Sequence, residues 1–166
     1  MINDRIVLGT IAGLAGNAAK MMVDEVSVRL GISQRNYRST AAGVWVSTHH
    51  EANCIQGQVL GTILDFGMGL LGGIGIVELL TLSGKDHHVG KGLVAGISFG
   101  SIITAFLSAF AQNKVRPKDA ATNLSYLLTH AIYGVVTTEV AVRLGEPQLF
   151  VQKQPVAYLK SMVNVK

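Results

Sequence analysis

The sequence predicts an all-α integral membrane protein, a four-helix bundle with glycine-rich helix contacts. Three observations predict this class: long runs with almost no charge, small residues at helical spacing within those runs, and short polar connections between them. Charged residues make up 14% of the 166-residue chain, against roughly 25% in typical soluble domains. The length suits one domain.

The charge that the chain carries lies mostly outside three apolar runs. Residues 56–84 contain two charged side chains, residues 92–113 contain none, and residues 120–142 contain one. Each run is long enough to cross a hydrocarbon core of about 30 Å, which takes roughly 20 helical residues. We therefore expect spans at residues 5–30, 55–83, 89–112 and 119–144, which with their connections form a membrane domain at 1–147 followed by a tail at 148–166.

Two other interpretations of the apolar segments are open. A soluble all-α protein would show a polar stripe on each helix, but residues 92–111 offer only weakly polar side chains, at Ser98, Ser101, Thr104 and Ser108. The first segment could also be a signal peptide, since IVLGTIAGLAGNAA resembles an apolar signal core. Asp4 beside Arg5 makes a weak start for such a signal, so a first membrane span is favoured.

The connections predict how the spans are arranged. Residues 31–53 are polar with a short apolar centre around Trp45, which predicts an interfacial or re-entrant segment. The SGKDHH turn is short, so the second and third spans should be antiparallel neighbours. Four spans place both termini on one face. Seven basic residues on that face against six on the other do not set the orientation; we expect cytoplasmic termini.

Glycines recur every fourth residue on three of the predicted helices. This spacing aligns them along one face, where the absence of a side chain lets another helix approach closely. The predicted helix-packing residues are Gly9, Gly13, Gly57, Gly61, Gly69, Gly73, Gly92, Gly96 and Gly100. They exceed what one small bundle should need, so the sequence predicts a homo-oligomer, with copies of the same chain and membrane lipids as its partners.

An intramembrane polar cluster is predicted from depth. Lys20, Asp65 and His130 each lie about ten residues in from the face that holds the first and third connections, roughly 15 Å deep at 1.5 Å per residue. Asp24 lies one turn shallower and is spaced to pair with Lys20. One interpretation is a closed Lys–Asp pair that fixes the helix order. The other is a proton or cation relay, because an ionisable group inside a membrane span costs free energy and is by default a candidate for function.

Other chemistry finds little support in the sequence. The single cysteine, Cys54, excludes an intrachain disulfide framework, and the scattered basic residues do not suggest nucleic-acid binding. Potential metal ligands occur in two loop clusters, on opposite faces, so we expect no metal site: His49, His50, Glu51 and Cys54, and then Asp86, His87 and His88. No hydrolase or phosphate-binding motif appears, and neither enzyme activity nor a cofactor is predicted.

Three elements of the sequence are the most specific: GNAAK at residues 16–20, LDF at 64–66 with the following glycine run and SGKDHH, and HAIYG at 130–134. Together with the segments around them, they resemble a family of small four-span membrane proteins of anaerobic and spore-forming Bacillota. The resemblance covers about two-thirds of the chain. It implies a protein of the bacterial cytoplasmic membrane and carries no activity, ligand or catalytic residue.

The sequence thus leads to three hypotheses of function. The first is a non-enzymatic membrane protein that self-associates through its glycine faces and has a structural or assembly role. The second is a proton- or cation-coupled conduit that uses the Lys20, Asp65 and His130 cluster. The third is an accessory subunit of a larger membrane complex.

Overall fold

A computed structural model describes residues 1–151 of the chain, and these residues are helical with no strand. The predicted tail lies outside the described residues from residue 152 onward. The elements in chain order are α1 (Arg5–Arg29), α2 (Tyr37–Ala42), α3 (His49–Asn53), α4 (Ile55–Ser83), α5 (His88–Ala109), α6 (Ala120–Leu144) and a 3-10 turn (Pro147–Phe150). The all-α class is confirmed.

Side chains that precede the helices explain where several of them begin. Asp4, Asn36 and Asp119 accept hydrogen bonds from backbone N–H groups in the first turns of α1, α2 and α6. Thr48 and Glu51 form a reciprocal capping box on α3. These contacts satisfy N–H groups that have no partner within the helix.

Three of the described helices, α1, α4 and α5, are long and apolar enough to cross a membrane. The fourth predicted span, α6, is not among them. Helix α6 is less apolar than these three because it carries many polar residues, and many of them lie on its buried faces. Four threonines of α6 are fully buried: Thr122, Thr129, Thr137 and Thr138.

Helix α6 lies between α1 and α5, and α1 packs in turn on α4. The start of α1 and the end of α6 are joined by backbone hydrogen bonds, from Ile2 N–H to the Leu144 carbonyl at 2.8 Å and from Glu146 N–H to the Ile2 carbonyl at 3.0 Å. We call this end of the molecule, which also holds the turn between α4 and α5, the terminal face. The opposite end, which holds residues 30–54 and 110–119, is the connection face.

The two helices joined by the SGKDHH turn make little contact with each other. The prediction that these two helices pack side by side as antiparallel neighbours is therefore wrong. Phe99 of α5 approaches α4 at Gly72, where an added Cβ would lie 3.0 Å from the ring. The main partner of α5 is α6 instead, and a short turn limits only how far apart two helix ends lie.

Close approaches between helices occur at several of the glycines singled out by sequence. A Cβ added to Gly13 of α1 would meet the backbone of Gly69 and Gly73 on α4. A Cβ added to Gly92 or Gly96 of α5 would meet the backbone of α6 at Gly134 or His130. All nine predicted packing glycines are buried within the described chain: Gly9, Gly13, Gly57, Gly61, Gly69, Gly73, Gly92, Gly96 and Gly100.

The first connection folds back against the long helices. Helix α2 packs on α4, and a Cβ added to Gly61 would collide with the carbonyl of Arg38. Ala41 and Ala42 are buried, whereas Trp45 is 71% exposed. This arrangement inserts the start of α2, and with it Tyr37, into the interior between α1 and α6.

Candidate functional site

A buried ion pair joins α1 to α4. The Lys20 ammonium donates a hydrogen bond to Asp65 Oδ1, and the two side chains are 2% and 4% exposed. The Asn17 amide, one turn before Lys20, donates to the other carboxylate oxygen at 3.3 Å. Such a pair is stable in a low-dielectric interior only when the charges are matched and further hydrogen bonds are made, and this carboxylate has both.

Tyr37 of α2 closes the ion pair from the connection face. Its ring centroid lies 4.1 Å from Lys20 Nζ, a cation–π contact that covers one side of the ammonium. The Tyr37 backbone N–H donates to Asp24 Oδ2 at 2.7 Å. The carboxylate of Asp24 therefore holds the first turn of α2 on α1, and Lys20 pairs with Asp65 instead of with Asp24.

His130 of α6 also contacts the Tyr37 ring. The two ring centroids are 5.0 Å apart, in an edge-to-face arrangement. Its Nδ1 lies 2.7 Å from the Tyr126 carbonyl, and since a carbonyl only accepts, Nδ1 is the donor. In the described part of the chain, His130 makes no hydrogen bond to Lys20, Asp24 or Asp65.

Further polar contacts extend from the ion pair toward the connection face. Ser27 and Ser125 share a hydrogen bond of 2.6 Å between α1 and α6. Thr40 and Tyr126 share one of 2.8 Å between α2 and α6. Toward the terminal face, the interior changes to an apolar core cluster: Leu8, Ala12, Ile76, Val77, Leu80, Tyr133, Ala141 and Phe150.

A cavity of about 500 Å³ opens between α4 and α5, in the half of the molecule nearer the connection face. Its rim carries exposed apolar side chains of both helices and of the first connection: Ile63, Met68, Ile102, Phe106 and Trp45. Its inner end is lined by the polar cluster: Asn17, Lys20, Tyr37, Asp65, His130 and Tyr133. The rest of the wall is mostly apolar, so this volume is of the size and character of a small-molecule site.

The structure brings together part of the set proposed from sequence. Lys20 and Asp65 are in direct contact, Asp24 is linked to them through Tyr37, and His130 through the same ring. Sequence reasoning missed the role of Tyr37, because nothing in the local pattern of the first connection indicates that it folds inward. Asn17 could have been found, since it lies on the same face of α1 as Lys20.

The loop residues considered as metal ligands lie apart from this site. His88 bonds Glu139 at 2.9 Å near the terminal face, and the His49 carbonyl accepts a hydrogen bond from Asn53 within α3. Over residues 1–151, no group of three or more histidine, cysteine or acidic side chains is arranged to hold a metal ion.

Comparison with known proteins gives no assignment for this chain. No family model matches it, and neither a curated protein nor a solved structure does. The function must therefore be argued from the site.

Proposed function

We propose that this protein is a membrane-embedded binding protein whose cavity between α4 and α5 takes up an apolar membrane molecule. The observation that carries the proposal is a lateral opening with an apolar rim and a charged inner end. A molecule can enter such a space from the bilayer without crossing water. Its apolar part would contact the rim, and its polar end would reach the ion pair.

The conduit hypothesis has less support from the same geometry. Lys20 and Asp65 are bonded to each other and almost fully buried. Beyond them, toward the terminal face, an ion would meet Leu8, Val77 and Leu80, each 0% exposed. A cation path needs polar groups or water on both sides of the membrane centre, whereas the buried charged side chains of the described residues, Lys20, Asp24 and Asp65, all lie in the half nearer the connection face.

The proposal can be tested with an alkyl probe that carries a diazirine, using the full chain in phospholipid nanodiscs. We expect labelling that saturates, is displaced by an excess of unlabelled probe, and maps to Ile63, Met68, Ile102 and Phe106. Replacing Ile103 by Trp, which adds bulk to the cavity wall, should abolish the saturable component. The matched control is Leu124→Trp, on α6, which is 64% exposed and does not line the cavity. Non-saturable labelling spread evenly over all outward helix faces would contradict the proposal.

Self-association is a second candidate function, and it is supported by a different face from the one expected. The predicted packing glycines lie inside the described chain, but Gly67 and Gly75 of α4 are exposed, and a Cβ at either would meet nothing within 4 Å. Two outward glycines eight residues apart lie on one side of the helix. If they form a subunit contact, Gly75→Leu, which lies outside the cavity lining, should turn an oligomer in nanodiscs into a monomer; wild-type protein that is already monomeric would exclude this function.

The proposal also covers the number of membrane spans, their packing and the side of the membrane on which the termini lie. We take α1, α4, α5 and α6 to be one four-span bundle packed through glycine faces, with α6 sheltered by its neighbours. Both termini would then lie on one side, the cytoplasmic side of a bacterial inner membrane, as the resemblance to the Bacillota family implies. A binding protein of this kind could act alone or as an accessory subunit, and co-purification from native membranes separates these cases.

A further inference from the structure

The inner end of the cavity contains an unused hydrogen-bond acceptor. His130 Nδ1 donates to the Tyr126 carbonyl at 2.7 Å. A neutral imidazole that donates from Nδ1 carries a lone pair on Nε2. No hydrogen bond is made by Nε2 among residues 1–151, and His130 lines the cavity.

A hydrogen-bond donor lines the same cavity. Lys20 has three N–H groups; one is bonded to Asp65, and the Tyr37 ring covers another side of the ammonium. The Tyr37 ring contacts both Lys20 and His130, so the two groups border the same end of the cavity. A ligand group that both donates and accepts a hydrogen bond would pair with His130 Nε2 and with Lys20.

The charge balance at this end favours a neutral head. Asp65 already neutralises Lys20, and the Asn17 amide holds the second oxygen of that carboxylate. An anionic head would be brought into the cavity next to the Asp65 charge, and like charges at close range repel strongly in a low dielectric. A cationic head would meet Lys20 in the same way.

We propose that the molecule taken up by the cavity bears a hydroxyl group at its polar end, which donates to His130 Nε2 and accepts from Lys20, with an alkyl or isoprenoid chain between α4 and α5. The ligand class is thus the membrane-soluble alcohols. This inference rests on the proposed binding function and adds the chemistry of the head.

The test uses competitors of equal chain length against the diazirine probe, on the wild-type chain in nanodiscs. The competitors are 1-hexadecanol, its methyl ether, hexadecane and hexadecanoate. The ether keeps the oxygen but cannot donate, so the ratio of alcohol to ether isolates the bond to Nε2. We expect the alcohol to displace the probe at a concentration about tenfold lower than the ether, since an acceptor left buried without a partner is costly.

The variant His130→Phe should remove the preference for the alcohol while retaining displacement at the level of hexadecane. If this variant does not fold, the wild-type ratios still decide the matter. Equal displacement by all four competitors would overturn the assignment of a hydroxyl head and leave the binding function standing. Stronger displacement by hexadecanoate than by the alcohol would overturn the neutral head. If none displaces the probe, the binding function itself fails.

Discussion

The interior of this protein has two halves that are built differently from the same helices. Toward the terminal face, α1 contributes Leu8 and Ala12 to an apolar core. Toward the connection face, from about two turns further along, α1 contributes Lys20, Asp24 and Ser27 to polar contacts with α4, α2 and α6. The apolar half is stabilised by the packing of side chains, and the polar half by specific hydrogen bonds and an ion pair.

In the bilayer proposed for this protein, the two kinds of contact differ in strength. Lipid chains are as apolar as leucine, so burying an apolar side chain between membrane helices gains packing contacts but little hydrophobic free energy. A charge, in contrast, is far more costly to leave unpaired. We therefore expect the polar half to be sensitive to changes at single residues and the apolar half to be more tolerant.

The largest effect should come from breaking the ion pair. Lys20→Met keeps most of the side-chain length but leaves Asp65 with only the Asn17 amide. Removing one member of a buried pair typically costs about 3–5 kcal/mol. Thermal unfolding in detergent, followed by circular dichroism, should show this loss as a lower midpoint.

The matched control for that prediction removes both charges. In Lys20→Met with Asp65→Leu, no buried charge remains, and most of the lost stability should return, because an apolar replacement of a buried pair is often close to neutral. If the double variant is as unstable as the sum of the single ones, the two residues are not coupled, and the polar half is held by something else.

The next effect concerns the glycine contact between α1 and α4, which lies where the two halves meet. A Cβ at Gly73 would collide with the backbone of Gly9 and Gly13, so Gly73→Leu must push the helices apart. We expect a loss of about 3 kcal/mol, at the upper end of the usual cost of overpacking. Gly90→Leu, in the first turn of α5 where an added Cβ would meet nothing within 4 Å, should leave the unfolding midpoint unchanged. Equal effects of the two variants would contradict the packing described here.

Some of the features behind these two predictions can be identified from the sequence, and others cannot. The glycine spacing and the isolated charges stand out because a helix repeats every 3.6 residues and because an apolar run makes a carboxylate such as Asp65 conspicuous. The inward fold of Tyr37 and the separation of α4 from α5 do not follow from any local pattern. They depend on which helices pack against each other in the folded protein. Helix α6, with its buried threonines, sets this arrangement because it packs on both α1 and α5.

A smaller effect is expected in the apolar half. Leu80 of α4 is 0% exposed, and Leu80→Ala would leave a void in the core. In water-soluble proteins such changes cost 2–5 kcal/mol, part of which is transfer from water; that part is absent in a bilayer, so we expect about 2 kcal/mol. Leu71→Ala, on the same helix but 63% exposed, is the control and should have almost no effect. A loss at Leu80 greater than that at Lys20 would reverse the comparison between the halves.

The smallest effect should come from the neutral hydrogen bonds of the polar half. Ser27 and Ser125 are 2.6 Å apart between α1 and α6, and Ser125→Ala removes that bond. Hydrogen bonds between membrane helices average about 0.6 kcal/mol, because the separated helices find other partners. Ser101→Ala, whose hydroxyl donates to a carbonyl of its own helix, serves as the control. A loss of more than about 2 kcal/mol at Ser125 would mean that neutral pairs hold the polar half as strongly as the ion pair does.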